Sequence, residues 1–129
     1  MTKKQTTFGL HFLKNTMHEL SIALGIVDIA EKETKKANAT KVDAIELIIG
    51  TLSGVEPEAL EFVWQVAVQD TVLAKAERHI EYIEAKAKCL ECETTFSVQN
   101  VYDACPKCNS YFKDVFQGKE LKIKALEVS

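Results

Sequence analysis

Apolar residues recur every three or four positions between residues 20 and 30, and this spacing predicts an amphipathic helix. Lys35 and Lys36 suit the negative end of the helix dipole, and Asn38-Ala39-Thr40 is a sequence that ends helices. The stripe that we expect to face the core consists of Leu20, Ala23, Leu24, Val27 and Ala30, widened by Ile22, Ile26 and Ile29.

A strand and a second helix follow in the pattern. Residues 42–49 are rich in valine and isoleucine and are closed by Gly50, which predicts a buried strand. Ser53 and Glu56 have the spacing of a capping box, and Pro57 suits the first helical turn. The apolar face expected of this helix consists of Leu60, Val63, Trp64 and Ala67, broadened by Phe62, Val66 and Val68, with Trp64 in the core.

The remainder of the chain predicts two more strands around a cysteine-bearing segment. Residues 80–87 alternate weakly and predict a strand that leads directly into Cys89. Residues 121–128 alternate clearly after Gly118 and predict the last strand. Residues 1–16 are polar and irregular, and they predict no element.

All four cysteines lie in two Cys-x-x-Cys pairs, Cys89 with Cys92 and Cys105 with Cys108, separated by twelve residues. This spacing is typical of a zinc site with four thiolate ligands. Such a site has no open coordination position, so we interpret the metal as structural and expect no enzyme; a zinc hydrolase would need an open position and a nearby base. Disulfides or a redox pair fit less well, because no export signal is recognisable and redox pairs are usually single. Iron bound as in rubredoxin remains an alternative.

The order α, β, α, β, cysteine segment, β predicts an α+β fold. We expect two helices packed on a small three-stranded sheet, with a zinc-ribbon module inserted before the last strand. The expected domains are an extension at 1–16, an α/β domain built from 17–87 plus 118–129, and the zinc-ribbon insert at 88–117. The insert is too small to fold on apolar burial alone, so the metal must hold it together.

Composition and charge indicate which classes of partner this protein is not expected to bind. The chain has 16 Lys and Arg against 19 Asp and Glu, a formal net charge of -3, and lysines near the cysteines are offset by acidic neighbours. A nucleic-acid binder usually presents a basic face, so we expect no nucleic-acid partner. No apolar run approaches the roughly 20 residues of a membrane helix. We therefore expect a cytoplasmic protein without membrane contact, as a monomer or weak homodimer.

His18 stands at the head of the first helix, in the sequence Met17-His18-Glu19-Leu20-Ser21. Thr16 and Glu19 have the spacing of a capping box, so Glu19 can simply cap the helix while His18 is solvated. The chemistry of these residues by itself favours that interpretation over metal binding.

The same motif, followed by an apolar helix, resembles the start of the HypA/HybF family, the nickel metallochaperones of hydrogenase maturation. Residues 47–55 are similar to the family's strand and glycine turn, and residues 57–62 to its second helix. The paired Cys-x-x-Cys resembles its zinc ribbon, and residues 118–121 resemble the start of its final strand. The resemblance covers residues 17–128.

The resemblance implies a nickel chaperone that delivers Ni(II) during assembly of nickel-iron hydrogenase, with urease as a further recipient. It implies a HypB-type GTPase and the hydrogenase large-subunit precursor as partners. Ni(II) is then the cargo, and Zn(II) is structural at Cys89, Cys92, Cys105 and Cys108. The alternative function, from another class, is a zinc-ribbon nucleic-acid or transcription-associated adaptor.

In that family the histidine after the initiator methionine gives an imidazole nitrogen to nickel, and the neighbouring backbone adds donors. The resemblance therefore places nickel at His18, with the Met17 backbone and Glu19 as weaker neighbours, and makes residues 17–87 plus 118–129 the nickel-binding domain. Met17 is not residue 1 here, so it has a free amine only if the chain begins at Met17. We expect that beginning, with residues 1–16 not native.

Overall fold

The computed structural model describes residues 4–6 and 19–129. The described part contains two helices and seven strands. In chain order the elements are β1 (Lys4–Thr6), α1 (Glu19–Lys36), β2 (Val42–Gly50), α2 (Pro57–Val68), β3 (Glu77–Ile83), β4 (Lys86–Cys89), β5 (Thr95–Ser97), β6 (Lys113–Gln117) and β7 (Leu121–Val128). Neither helix is long and apolar enough to cross a membrane.

The larger sheet has the strand order β1-β7-β2-β3. Strands β2 and β3 are parallel and joined through α2, while β7 runs antiparallel to β2. Both helices pack on one face of this sheet, where Ile45 and Leu47 of β2 meet Leu126 and Ile123 of β7 across the strands. The predicted α+β arrangement of two helices on a sheet with an inserted cysteine module is confirmed, with one short strand added.

The added strand is β1, which falls in a segment whose sequence predicts no element. Lys4–Thr6 pairs antiparallel with residues 126–128 of β7. Pairing of this kind uses backbone groups at an open sheet edge, and it requires no apolar alternation in the added segment. Lys4, Gln5 and Thr6 are all polar, so the sequence gave no signal for this strand.

The helices form where the sequence predicts them, but the buried arc of each is narrower than its apolar stripe. Leu20 and Leu24 of α1 are exposed, and so are Phe62 and Val66 of α2. The sheet contacts one arc of each helix, and a stripe that spreads over half the circumference does not show which arc that is. The buried residues are Ile22, Ala23, Ile26, Val27, Ala30 and Thr34 in α1, and Leu60, Trp64, Ala67 and Val68 in α2.

The start of α2 differs from the predicted capping box. Glu56 is the N-cap residue, and its carboxylate accepts from the Glu58 backbone N–H at 3.2 Å. Ser53 instead lies buried in the preceding turn, where its hydroxyl accepts from the Val55 N–H at 3.3 Å. Pro57 determines which residue caps the helix. Proline is favoured as the first helical residue, because the N–H that it lacks would have no partner within the helix, and the residue before it, Glu56, then becomes the N-cap.

The single strand predicted over residues 80–87 is wrong: two strands in two different sheets occupy this region. Strand β3 begins earlier, at Glu77, and ends at Ile83, while β4 begins at Lys86. Strand β4 is the centre of a smaller antiparallel sheet with the order β5-β4-β6. The chain leaves the first sheet and enters the second across Glu84 and Ala85, and no turn residue in this stretch marks the change.

The two sheets meet where Gly50, Gly118 and Ala85 touch. A Cβ atom on Gly50 would lie 2.0 Å from the Gly118 carbonyl oxygen, and a Cβ on Gly118 would lie 2.2 Å from the Ala85 Cα. Hydrogen bonds close the same contact, from the Leu52 N–H to the Gly118 oxygen at 2.7 Å and from the Ala85 N–H to the Thr51 hydroxyl at 3.0 Å. Only glycine allows the backbones to approach this closely.

Substitution of Gly118 by alanine should therefore destabilise the protein by about 3 kcal/mol, through the clash with Ala85 and the strain of a positive φ. Its φ is 106°, whereas Gly54 has a φ of 88° in the exposed turn before α2. Gly54→Ala is the matched control and should cost only about 1 kcal/mol, from strain alone. Urea denaturation of both variants measures the difference, and equal losses would contradict the close contact.

Candidate metal centre

Four cysteine sulfurs converge at one end of the smaller sheet. The ligand atoms of Cys89, Cys92, Cys105 and Cys108 all lie within 4.8 Å of one another. The Cys89 and Cys108 sulfurs are 3.5 Å apart, and those of Cys92 and Cys105 are 3.6 Å apart. Ligands bound tetrahedrally at a zinc–sulfur distance of about 2.3 Å would be about 3.8 Å apart. A disulfide needs about 2.05 Å, so the four thiols are free and spaced for one metal ion.

The two cysteine turns have the same backbone geometry. The Cys89 N–H donates to the Thr94 carbonyl and the Cys105 N–H to the Ser110 carbonyl, both at 2.8 Å. The residue four positions after the first cysteine then donates back to it, at 3.0 Å from Glu93 and 2.8 Å from Asn109. These two residues have positive φ values of 64° and 62°. Asparagine tolerates that conformation, so Asn109 carried a sequence signal for the turn, while Glu93 carried none.

Burial divides the four ligands unequally. Cys89 and Cys105 are completely buried, Cys92 is half-buried and Cys108 is exposed. Ala85, Ala87, Phe96 and Val98 complete the small apolar cluster around the buried pair. Six buried side chains are a very small core, so a metal ion bound by the four cysteines would add stability that apolar burial does not supply.

Hydrogen bonds to the sulfurs shift the thiol pKa values in opposite directions. The Thr94 hydroxyl lies 3.1 Å from the Cys92 sulfur, and together with the Thr94 backbone it lowers the pKa of Cys92 to about 6. The Cys92 backbone N–H lowers the pKa of Cys89. Thr94 was missed as a contributor to the site, because a threonine two residues after a cysteine is no signal by itself.

Cys108 behaves differently from the other shifted thiols. The Ser110 backbone lowers its pKa, but the contacts with Cys89, burial and the other sulfurs outweigh this and raise the pKa to about 12. Four neighbouring sulfurs cannot all be thiolates without a cation between them, so one keeps its proton. A bound divalent ion supplies that positive charge and displaces the proton.

Of the three candidate nickel residues, only Glu19 lies in the part of the chain that the structure describes. Met17 and His18 lie outside the described residues. Glu19 is the first residue of α1, and its carboxylate accepts from the Glu56 N–H at 3.0 Å, which ties the start of α1 to the start of α2. Over residues 4–6 and 19–129, the four cysteines form the one group of His, Cys, Asp and Glu side chains placed to hold a metal. The histidine in this part, His79, lies on β3 beside Glu77.

Comparison with known proteins gives one consistent result. A family model described as hydrogenase/urease nickel incorporation, metallochaperone, hypA matches residues 17–128. The hydrogenase maturation factor HypA of Parabacteroides distasonis is 41% identical over 112 residues, which are 87% of this chain and 97% of that protein. The HypA of Geotalea uraniireducens is also 41% identical over 112 residues and is covered to 99%.

A protein of known structure has a similar fold. The solution structure of the Ni metallochaperone HypA from Helicobacter pylori superposes with a TM-score of 0.61 at 24% identity, over 87% of this chain and 97% of that one. At this identity the similarity concerns the fold alone. Because the family model matches almost the whole chain from Met17 onward, and relatives are similar over nearly their full lengths, this protein belongs to the HypA family of hydrogenase maturation factors.

Proposed function

We propose that this protein is a nickel metallochaperone that delivers Ni(II) for the maturation of nickel-iron hydrogenase, with urease as a further recipient. The match of residues 17–128 to the nickel-incorporation family carries the proposal, because it begins at the Met17-His18-Glu19 motif and includes both cysteine pairs. No observation favours the alternative of a nucleic-acid adaptor. A HypB-type GTPase and the hydrogenase large-subunit precursor are the partners that this function requires.

Two metals bind to two different donor sets in this proposal. The cysteines hold Zn(II), since their spacing fits a closed tetrahedral site of four thiolates. Such a site leaves no position for substrate, so the zinc is structural and the protein is not an enzyme. Ni(II) prefers nitrogen donors, which the residues around His18 offer. Reduced thiolates are also what a cytoplasmic protein would retain.

The proposed nickel ligands are the His18 imidazole, donors of the Met17 backbone and, more weakly, Glu19. Glu19 also accepts a hydrogen bond from the Glu56 N–H, so a metal has to compete with this bond for the carboxylate, which makes Glu19 the weaker ligand. The bond also fixes the start of α1, directly after His18, against the rest of the helical layer. Residues 17–87 plus 118–129 then form the nickel-binding domain and 88–117 the zinc module, with 1–16 as an extension.

The zinc proposal predicts that Cys92→Ala loses most of its zinc, because three thiolates no longer close the tetrahedron. Purified parent protein should contain one zinc per chain, measured by plasma mass spectrometry. The helical circular dichroism signal should remain, because the core that the helices form is a separate cluster from the one around the cysteines. Ser97→Ala, at an exposed position on β5 that holds no ligand, is the control and should keep its zinc. Full zinc in a Cys92/Cys105 double variant would refute the assignment.

Zinc affinity should also increase with pH. The pKa of Cys108 is raised to about 12, so this thiol is protonated in the metal-free protein at neutral pH and must lose its proton when zinc binds. Each proton displaced makes binding about tenfold tighter per pH unit. Competition with a chelator between pH 6 and pH 8 should therefore show an increase of at least about 100-fold. An affinity that stays constant over this range would contradict the displacement of a thiol proton by zinc.

Nickel binding should depend on His18 and on the residue at which the chain begins. Calorimetric titration should find that the chain starting at Met17 binds nickel most tightly. The full chain should bind more weakly because Met17 then has no free amine, and the Met17-start chain with His18→Ala should bind most weakly because it lacks the imidazole. An imidazole binds metal only when neutral, so nickel should dissociate as the pH falls below about 6.5. Zinc content should stay the same throughout.

His79→Ala is the matched control for nickel, because His79 is an exposed histidine on β3. It should bind nickel as its parent does. If His18→Ala also binds nickel unchanged, nickel binds elsewhere. If the full chain equals the chain that starts at Met17, the terminal amine is not a ligand.

A further inference from the structure

Exposed apolar side chains lie on β6 of the smaller sheet and directly beside it. Ala87, Cys89 and Phe96 are buried in the cluster that includes Cys105, whereas Phe112 and Phe116 are 68% and 52% exposed. Leu90, at 64% exposed, lies beside Phe112, because its N–H donates to the Phe112 carbonyl at 3.0 Å. We call Leu90, Phe112 and Phe116 the apolar face. Solvated sheet faces are normally polar, so clustered apolar side chains here indicate a contact surface.

The apolar face borders an edge strand. In the order β5-β4-β6, strand β6 has no strand on its outer side within the described part of the chain. Asp114 and Phe116 of β6 and Phe112, the residue directly before the strand, are exposed, which gives an apolar, acidic, apolar order along the chain. Asp114 lies opposite Lys88 on β4, and Phe116 is the extra residue where the register shifts. An edge of this kind offers unpaired backbone groups that an added strand can satisfy.

A second copy of this chain is a poor occupant of that edge. If two β6 strands paired so that Phe112 of each faced Phe116 of the other, the two Asp114 carboxylates would lie directly opposite, and like charges in that position destabilise a sheet. The three side chains of the apolar face also offer far less than the roughly 800 Å² per partner of a standard interface. The surface therefore suits a short segment with a basic residue at its centre.

We propose that β6 binds an extended segment of a partner protein as an additional antiparallel strand. Two apolar side chains of that segment lie opposite Phe112 and Phe116, and a lysine or arginine lies opposite Asp114. The backbone hydrogen bonds provide affinity, and the three side-chain pairs set the register. This site lies on the cysteine module and requires no nickel. The strand-binding proposal can therefore be tested independently of the proposed nickel function.

Two synthetic peptides test the charge at the centre of the segment. One contains Val-Thr-Lys-Thr-Val and the other Val-Thr-Glu-Thr-Val, each labelled with a fluorophore and titrated with the zinc-loaded protein by anisotropy. The protein should bind the lysine peptide about twofold to fivefold more tightly, the range of a cross-strand charge pair. Asp114→Lys should reverse the preference. Glu81→Lys, an exposed acid on the edge strand β3 of the other sheet, should leave the preference unchanged.

The apolar pairs are tested by Phe112→Ser, which should weaken both peptides about tenfold because a large side chain is no longer covered. Tyr102→Ser removes a comparably exposed aromatic ring from a loop of the same module and should have no effect. Unchanged zinc content shows that each variant is folded.

The proposal is overturned if neither peptide shifts the amide resonances of β6 at about 1 mM, or if both peptides bind equally. Sedimentation that shows a dimer abolished by Phe112→Ser would assign the surface to a second copy instead.

Discussion

The whole arrangement depends on the backbone contact between Gly50, Gly118 and Ala85, because Ala85 and Gly118 lie where the chain passes between the two sheets and Gly50 packs directly against Gly118. Gly50 ends β2, Ala85 connects β3 to β4, and Gly118 connects β6 to β7. A single Cβ atom at Gly50 or Gly118 would come within 2.2 Å of backbone atoms across this contact. The cysteine module can be inserted into the α/β unit without a gap because its entry and exit strands pack against the turn that follows β2.

Beyond this contact the two parts of the chain are stable for different reasons. The helical layer has a core formed by both helices, β2 and β7, and hydrophobic burial suffices to hold it. The cysteine module buries six side chains, two of them metal-ligand candidates, and its four sulfurs repel one another as thiolates. A bound cation would remove the repulsion and close a loop that apolar contacts do not close, so we expect metal binding and folding of the module to be coupled.

The sequence predicted the elements that depend on local patterns. Helices, the strands β2 and β7 and the cysteine turns follow from periodicity, Pro57, and Cys-x-x-Cys spacing. What it could not predict depends on contacts between distant segments. Leu20 and Leu24 fit the helical stripe as well as Ile22 and Ile26 do, and only the position of the sheet leaves the first pair exposed. The break between β3 and β4 is set by Gly118 approaching Ala85 from 33 residues further along the chain.

The segment from Gly50 to Glu56 connects the two candidate metal regions through hydrogen bonds. At one end the Leu52 N–H donates to Gly118 beside the cysteine module, and at the other the Glu56 N–H donates to Glu19 at the start of α1. The contact at Gly50 holds the first end rigidly, whereas Glu19 is a side chain that can release its partner at small cost. A metal bound near His18 that draws on the Glu19 carboxylate would therefore free the start of α2 before it disturbed the cysteine module.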